Sequence, residues 1–208
     1  QRQMCIRDRY MIIGGKDLLN GKRFDKGGYI LTYDYDKWSF IDPKEAQKKL
    51  NLPRNPRDYT SIAVTTDDSN DEIVYASSMG DGVIQYKNGT PVQSYNEKNA
   101  FKETAGGYGS GYCYIDGLAF DKNGNLWMTS SEVNHAVLVL DKAGAWHRLD
   151  IEQLRGVYTI NDILITSTND KWIYVPRNTP KLVMIPNSES LDEVSSCLLY
   201  TSDAADEL

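Results

Sequence analysis

The chain has little cysteine and less histidine, no long apolar run and no excess of basic charge. Its 208 residues include 3 Cys and 2 His. The histidines, His135 and His147, have no metal-ligand spacing to each other or to a cysteine pair. No Ser/His/Asp or Cys/His set stands out either. Basic residues number 23 against 29 acidic ones, a net charge of −6, which argues against nucleic acid or an anionic membrane surface as partner. Tyr10-Met11-Ile12-Ile13 and Val137-Leu138-Val139-Leu140 are the longest apolar candidates, far short of the roughly 20 residues a helical bilayer span needs. What the chain does have is aromatic residues: 4 Trp, 14 Tyr and 4 Phe, too many for a disordered segment.

The two ends do not read as native protein. Gln1-Arg2-Gln3-Met4-Cys5-Ile6-Arg7-Asp8-Arg9 can be encoded by CAG CGT CAG ATG TGT ATA AGA GAC AG(G/A). Cys197-Leu198-Leu199-Tyr200-Thr201-Ser202-Asp203-Ala204-Ala205-Asp206-Glu207 can be encoded by very nearly its reverse complement, extended. That string is the transposase adapter of sequencing libraries. Residues 1–9 and 197–208 are therefore expected to be adapter read-through and are set aside from fold reasoning. The segment 10–196 then carries a net charge of −5 and one cysteine, Cys113. A single cysteine forms no intrachain disulfide, and is read as a small core residue. The native segment is expected to be cut at both ends, with any signal peptide lost by truncation.

Periodicity within that segment is short and mostly two-residue. Residues 29–35, 73–78, 82–86, 126–129 and 136–140 are rich in β-branched and aromatic side chains and are bounded by Gly, Asn, Asp or Pro, so they predict strands. Asn88-Gly89 is the pair that best tolerates two positive φ angles in a tight hairpin. Asp121–Asn125 and Lys142–Ala145 supply further turns. Helix is scarce. Residues 42–50 form the best case, with Asp42 as cap, Pro43 at the first helical position and Pro53 as stop. A single turn is expected at 150–155. Both helical pieces read as surface insertions.

The strand groups repeat. Leu126-Trp127-Met128 is matched 45 residues later by Lys171-Trp172-Ile173, and Gly117–Phe120 by Asp162–Ile165 at the same offset. Val74-Tyr75-Ala76 stands 52 residues before Leu126. A unit of short strands recurring every ~40–50 residues is the mark of propeller blades. The expected fold is all-β: a partial β-propeller of about four four-stranded antiparallel blades, the first and last incomplete. The units run from Tyr10 to Ile41 (lacking its inner strand), Tyr59 to Tyr95, Cys113 to Leu149, and Thr159 to about Ser196 (lacking its outer strand). Four blades in an arc leave two raw faces.

Few segments suggest chemistry. Gly106-Gly107-Tyr108-Gly109-Ser110-Gly111 lacks the Gly-Lys-Ser/Thr ending of a phosphate loop and does not lead from strand to helix, so it reads as an inter-blade loop. In Asp121–Glu132 the twelfth residue is Glu132, but Leu126 replaces the sharp-turn glycine of a calcium loop, and a β-turn is the better reading. Asp67–Glu72 is expected to be a solvated hairpin tip. Asp116 and Asp162 recur beside the innermost strands, where a propeller hydrolase would cluster carboxylates; equivalent repeat positions point instead to turn chemistry. No catalytic, cofactor-binding or metal-binding residue is assigned.

The ordered blocks Tyr75–Gly89, Tyr95–Asn99, Gly117–Trp127 and Lys171–Arg177 resemble the PorZ-like β-propeller proteins of the type IX secretion system, and the broader two-component-regulator propeller repeats. Asp-x-x-Gly-Asn-Leu-Trp at 121–127 is common to both groups, and Lys171-Trp172 followed by Pro176-Arg177 favours the first. Met79 and Asp81 stand where the family motif usually reads Trp and Gly. The resemblance implies an exported, non-enzymatic module at the cell surface or outer membrane of a Bacteroidota-type bacterium. It would scaffold or recognise in cargo attachment, through other secretion-system proteins or a surface glycan or lipopolysaccharide bound by the full-length protein. The sorting domain of that family is not in this chain, so lipopolysaccharide binding is not assigned to it. The alternative it implies is the periplasmic glycan-sensing propeller of a hybrid two-component regulator. No cofactor, nucleic acid or membrane insertion is expected within the segment.

Overall fold

The computed structural model describes residues 10–17, 22–34, 37–101, 105, 111–177, 180–188, 190–191 and 198–201. The chain divides into two compact units, Gln1–Ile115 and Asp116–Leu208.

The first unit begins with a three-stranded antiparallel sheet: β1 (Tyr10–Ile12), β2 (Ile30–Asp34) and β3 (Lys37–Ile41). Helix α1 (Pro43–Leu50) follows. Asp42 caps it by accepting from the Lys44 N–H at 2.9 Å, and Pro43 opens it. The stop differs from expectation. Asn51 ends the helix in a left-handed conformation (φ +50°), two residues before Pro53, and its N–H bonds back to the Gln47 carbonyl. Nor is α1 a mere surface insertion, since Pro43 and Ala46 are buried.

The second sheet is β4 (Tyr59–Thr66), β5 (Glu72–Gly80), β6 (Gly82–Lys87) and β7 (Thr90–Tyr95), paired in chain order. Asn88 and Gly89 turn β6 into β7 with φ +48° and +75°, the two positive angles the dipeptide favours. Asp67 accepts from the Ser69 and Asp71 N–H groups at the solvated tip between β4 and β5. The core between the two sheets holds Ile30, Tyr59, Val74, Ala76, Ile84 and Tyr86, with Tyr10, Ile12 and Ile41 packed against it. The Tyr59 and Tyr86 hydroxyls meet at 2.7 Å inside it, so neither phenol is left unpaired in an apolar setting.

Two further groups of four strands follow, the first of them hydrogen-bonded to the end of β5 through Met79–Tyr114 and Gly80–Cys113. The third sheet runs β8 (Cys113–Phe120), β9 (Leu126–Ser130), β10 (Val137–Leu140) and β11 (Trp146–Leu149). The fourth runs β12 (Ile163–Ile165), β13 (Lys171–Val175), β14 (Lys181–Ile185) and β15 (Leu198–Thr201). The outer position of the fourth sheet is thus taken by residues expected to lie outside the native segment. An antiparallel edge accepts any chain that satisfies its main-chain donors and acceptors, so this pairing says nothing of origin. A short 3₁₀ turn, Glu152–Leu154, buries Leu154 completely. The core between these sheets holds Trp127, Val137, Val139, Ile163, Ile173, Val175, Val183 and Ile185.

Trp127 and Trp172 occupy corresponding places, each on the second strand of its sheet and each paired to the third, with Val139 and Met184 respectively. Four successive sheets of one repeat, the first with three strands, make a partial β-propeller.

Candidate functional site

Asp81 joins β5 to β6 between two glycines, Gly80 (φ +127°) and Gly82 (φ +79°). The turn is sterically closed: a Cβ on Gly82 would stand 2.1 Å from the Tyr95 carbonyl oxygen. Its conformation directs the Asp81 carboxylate toward the segment that follows α1. Arg54 donates from Nε to Oδ1 at 2.8 Å, and its Nη2 lies 2.8 Å from the same oxygen. The Arg57 N–H donates to Oδ2 at 3.1 Å. The Ser78 hydroxyl accepts from the Asp81 N–H at 2.8 Å. Asp81 therefore fixes the chain between α1 and β4 while keeping a partly open face.

A cavity of about 320 Å³ opens beside this pair, lined by Leu52, Pro53, Arg54, Gly80, Asp81, Asn96, Glu97, Lys98, Gly111 and Tyr112. Tyr112 forms one wall, its hydroxyl donating to the Met79 carbonyl at 3.1 Å. Burial raises its phenol above the usual value, against the opposing pull of Arg23. Asn96 shapes the turn after β7: its side-chain carbonyl accepts from the Lys98 N–H at 3.0 Å. The cavity thus gathers two cations, two carboxylates and an amide around an aromatic ring and a proline. That lining offers both hydrogen-bond donors and acceptors beside apolar surface.

Cys113 is buried at the start of β8, and desolvation, the largest cause, pushes its thiol up to about 12. Such a thiol is inert at neutral pH. His147 lies on β11, with Nε2 2.9 Å from Asp141 Oδ2, and this contact holds the Asp141 carboxyl below its usual range. His135 lies in the loop between β9 and β10. Asp116 sits within β8, not in a turn. Its carboxylate accepts from the Ser131 hydroxyl at 2.6 Å, and the Ile160 N–H donates to that same Ser131 oxygen at 2.8 Å. Asp162 accepts from the adjacent Ile163 N–H at 2.9 Å. The two recurring aspartates are thus engaged in framing inner strands. In the Asp121 turn one carboxylate takes the Asn123 and Asn125 N–H groups and the Trp127 indole, which makes it a structural corner and not a calcium loop. Residues 106–110 of the glycine-rich segment lie outside the described residues; Gly111 lines the cavity. Among the described residues no group of three His, Cys, Asp or Glu could hold a metal ion. Among the same residues no helix is long and apolar enough to cross a membrane.

Sequence reasoning assigned no site here. The cavity draws on four separated segments, 52–54, 80–81, 96–98 and 111–112, which share no local pattern. Its one sequence signal is Asp81, already marked as a departure from the family motif.

No protein-family model and no curated protein matches the sequence. Solved structures do. PorZ of Porphyromonas gingivalis, described as an essential bacterial surface component of the type IX secretion system, matches 93% of this chain with a TM-score of 0.74 at 19% identity. The extracellular domain of a candidate hybrid two component system of B. thetaiotaomicron, BT4673, matches 83% with a TM-score of 0.56 at 16% identity. A second such domain, BT3049, matches 85% with a TM-score of 0.53 at 16% identity. This chain spans 26%, 21% and 20% of those three chains respectively. Four successive sheets, paired in chain order and matched over almost the whole chain by the PorZ structure, have the fold of a PorZ-like β-propeller.

Proposed function

We propose that the chain is a non-enzymatic β-propeller module of an exported surface protein, acting in type IX secretion as a scaffold or recognition element during cargo attachment. The observation that carries this is the match of 93% of the chain to PorZ. The described titratable groups fit a non-catalytic role: the Cys113 thiol is buried with its pKa raised, and Asp116 and Asp162 are engaged in hydrogen bonds to Ser131 and to the Ile163 N–H. The partners would be other secretion-system proteins at the cell surface or outer membrane. The test is an exchange. In a bacterium with a working type IX system, residues 10–196 replace the stretch of PorZ that they match, and cargo at the surface is measured. Retained surface cargo supports the role; loss of cargo from a stably exported chimera overturns it.

The cavity beside Asp81 favours a second reading, a glycan-sensing propeller of a hybrid two-component regulator. Arg54, Lys98 and Asn96 offer donors, Glu97 and Asp81 offer acceptors, and Tyr112 and Pro53 offer apolar surfaces to a sugar ring. Titration calorimetry with a panel of neutral and acidic oligosaccharides tests it. Saturable binding lost in Glu97→Gln and Lys98→Met supports sensing, and no binding across the panel removes it.

A further inference from the structure

Lys87-Asn88-Gly89 and Lys122-Asn123-Gly124 are identical tripeptides, and each closes a turn between paired strands. An asparagine followed by glycine is chemically labile. The glycine nitrogen, unshielded by any Cβ, attacks the side-chain amide carbon, and ammonia leaves. Water then opens the five-membered succinimide at either carbonyl, giving aspartate or isoaspartate. In sum, one amide and one water become a carboxylate and an ammonium ion. The reaction needs the asparagine side chain free to swing onto the next nitrogen. Because the two tripeptides share a sequence, a difference in their reactivity comes from the fold.

At Asn88 the side chain is pinned. Its Oδ1 accepts from the Glu72 N–H at 2.9 Å, and its Nδ2 donates to Asp71 Oδ1 at 2.8 Å. Asp71 is itself held by Lys87, whose Nζ lies 2.8 Å from Asp71 Oδ2 and 2.8 Å from Asp67 Oδ2. Ring closure at Asn88 therefore breaks two side-chain bonds, one of them charge-assisted. At Asn123 the restraint lies elsewhere. The residue is exposed, and among the described residues no hydrogen bond holds its side-chain amide. Asp121 takes the Asn123 N–H on Oδ1 at 2.9 Å, and the Asp121 carbonyl takes the Gly124 N–H at 3.1 Å. Closure at Asn123 has only that last bond to break, between neutral groups and at the long end of the usual range.

We infer that Asn123 is a site of spontaneous deamidation in the folded chain, and that the fold withholds Asn88 from the same reaction. The product matters because of the corner in which Asn123 sits. Isoaspartate adds a methylene to the main chain between Asp121 and Asn125, whose N–H bonds to Asp121 Oδ1 at 2.9 Å. The same aspartate seats the Trp127 indole through Oδ2. Isoaspartate thus lengthens a turn that these bonds hold to a fixed span. Aspartate leaves the main chain as it was and changes a side chain that no described group holds.

Peptide mapping of the full chain during storage in mildly alkaline buffer tests this, with chromatography and mass separating asparagine, aspartate and isoaspartate at each site. Conversion at Asn123 is expected to run at least ~10-fold faster than at Asn88 under native conditions. In urea, where neither turn persists, the two rates are expected to converge. Asp71→Ala, checked for folding by circular dichroism, is expected to speed conversion at Asn88 alone. Asn123→Asp is expected to keep the urea midpoint of the unaltered chain, and the isolated isoaspartate form to fall below it. Asn88 converting as fast as Asn123 under native conditions overturns the inference. So does a ranking that survives in urea, or an Asn123 that stays intact in the folded chain over a period that converts it in urea. An unchanged Asn88 rate in Asp71→Ala overturns the protection ascribed to its side-chain bonds, and an unchanged midpoint of the isoaspartate form overturns the effect on the corner.

Discussion

The indole Nε1 of Trp127 donates to Asp121 Oδ2 at 3.0 Å, tying the second strand of the third sheet to the turn that precedes it. The same carboxylate accepts from the Asn123 and Asn125 N–H groups at 2.9 Å and from the Asn125 amide at 2.9 Å. One side chain therefore closes the turn and seats the largest residue of the core. Asp121→Ala leaves these donors without their acceptor, at a position where Asp121 itself and the Trp127 indole are buried. A loss of about 2–4 kcal/mol in unfolding free energy is expected. Urea unfolding of the variant measures it.

Trp127 and Trp172 separate burial from repeat position. They are equivalent in the sheet, but Trp127 is fully buried and Trp172 half-buried. Trp127→Ala opens a large cavity and is expected to cost about 3–5 kcal/mol. Trp172→Ala is expected to cost less than about 2 kcal/mol, because its face is open to water. Denaturation at low protein concentration compares them, and equal costs would contradict the assignment of faces.

Blade boundaries were legible because turn chemistry is local. Asn88-Gly89 and Asp121–Asn125 mark strand ends, and the 45-residue offset between the tryptophans marks the repeat. The observed strands open and close the second unit of the repeat at Tyr59 and Tyr95, and the third at Cys113 and Leu149, as the pattern predicts. The helix end was not legible, because Asn51 stops α1 through its own left-handed conformation before Pro53 is reached. The cavity was not legible either. It forms where a turn, a post-helix segment and a strand start converge, and no spacing rule spans those distances along the chain. Nor did the pattern announce Lys171, whose ammonium is buried over the Trp127 ring and whose pKa desolvation lowers.

Gly82 and Gly144 test whether the Asp81 turn is closed by sterics as well as by φ. Both have positive φ, +79° and +90°. A Cβ on Gly144 meets nothing within 4 Å, whereas on Gly82 it would overlap the Tyr95 carbonyl oxygen. Gly144→Ala is expected to cost only the left-handed backbone penalty, about 1–2 kcal/mol. Gly82→Ala must move β7 as well and is expected to cost more than about 3 kcal/mol. Thermal melts of the two variants rank them.

Cys113 makes stability depend on alkaline pH. Burial, then the nearby Glu97 and Asp81 charges, push its thiol up to about 12. An unfolded thiol ionises near ~8.5. A pKa raised by folding contributes stability that is whole below the unfolded value and is lost as pH climbs from there toward the folded value. Between pH 8 and pH 10.5 (about two units above the ~8.5 of a free thiol) the unaltered protein is expected to lose urea midpoint faster than Cys113→Ala. Peptide mapping after iodoacetamide should show Cys113 alkylated only on unfolding. Parallel slopes for the two proteins would place the thiol in water.

The last prediction concerns β15. Leu198–Thr201 pairs with β14 through Lys181, Leu182, Val183 and Met184. A tail of adapter origin would owe this place to main-chain pairing alone. Shortening the chain to residues 10–196 is then expected to leave one cooperative unfolding transition for the second unit, with faster amide exchange confined to residues 181–185, which become the sheet edge. Exchange that accelerates also in β13 and in the third sheet would show that the outer strand holds the unit together, and the assignment of 197–208 as foreign to the fold would fall.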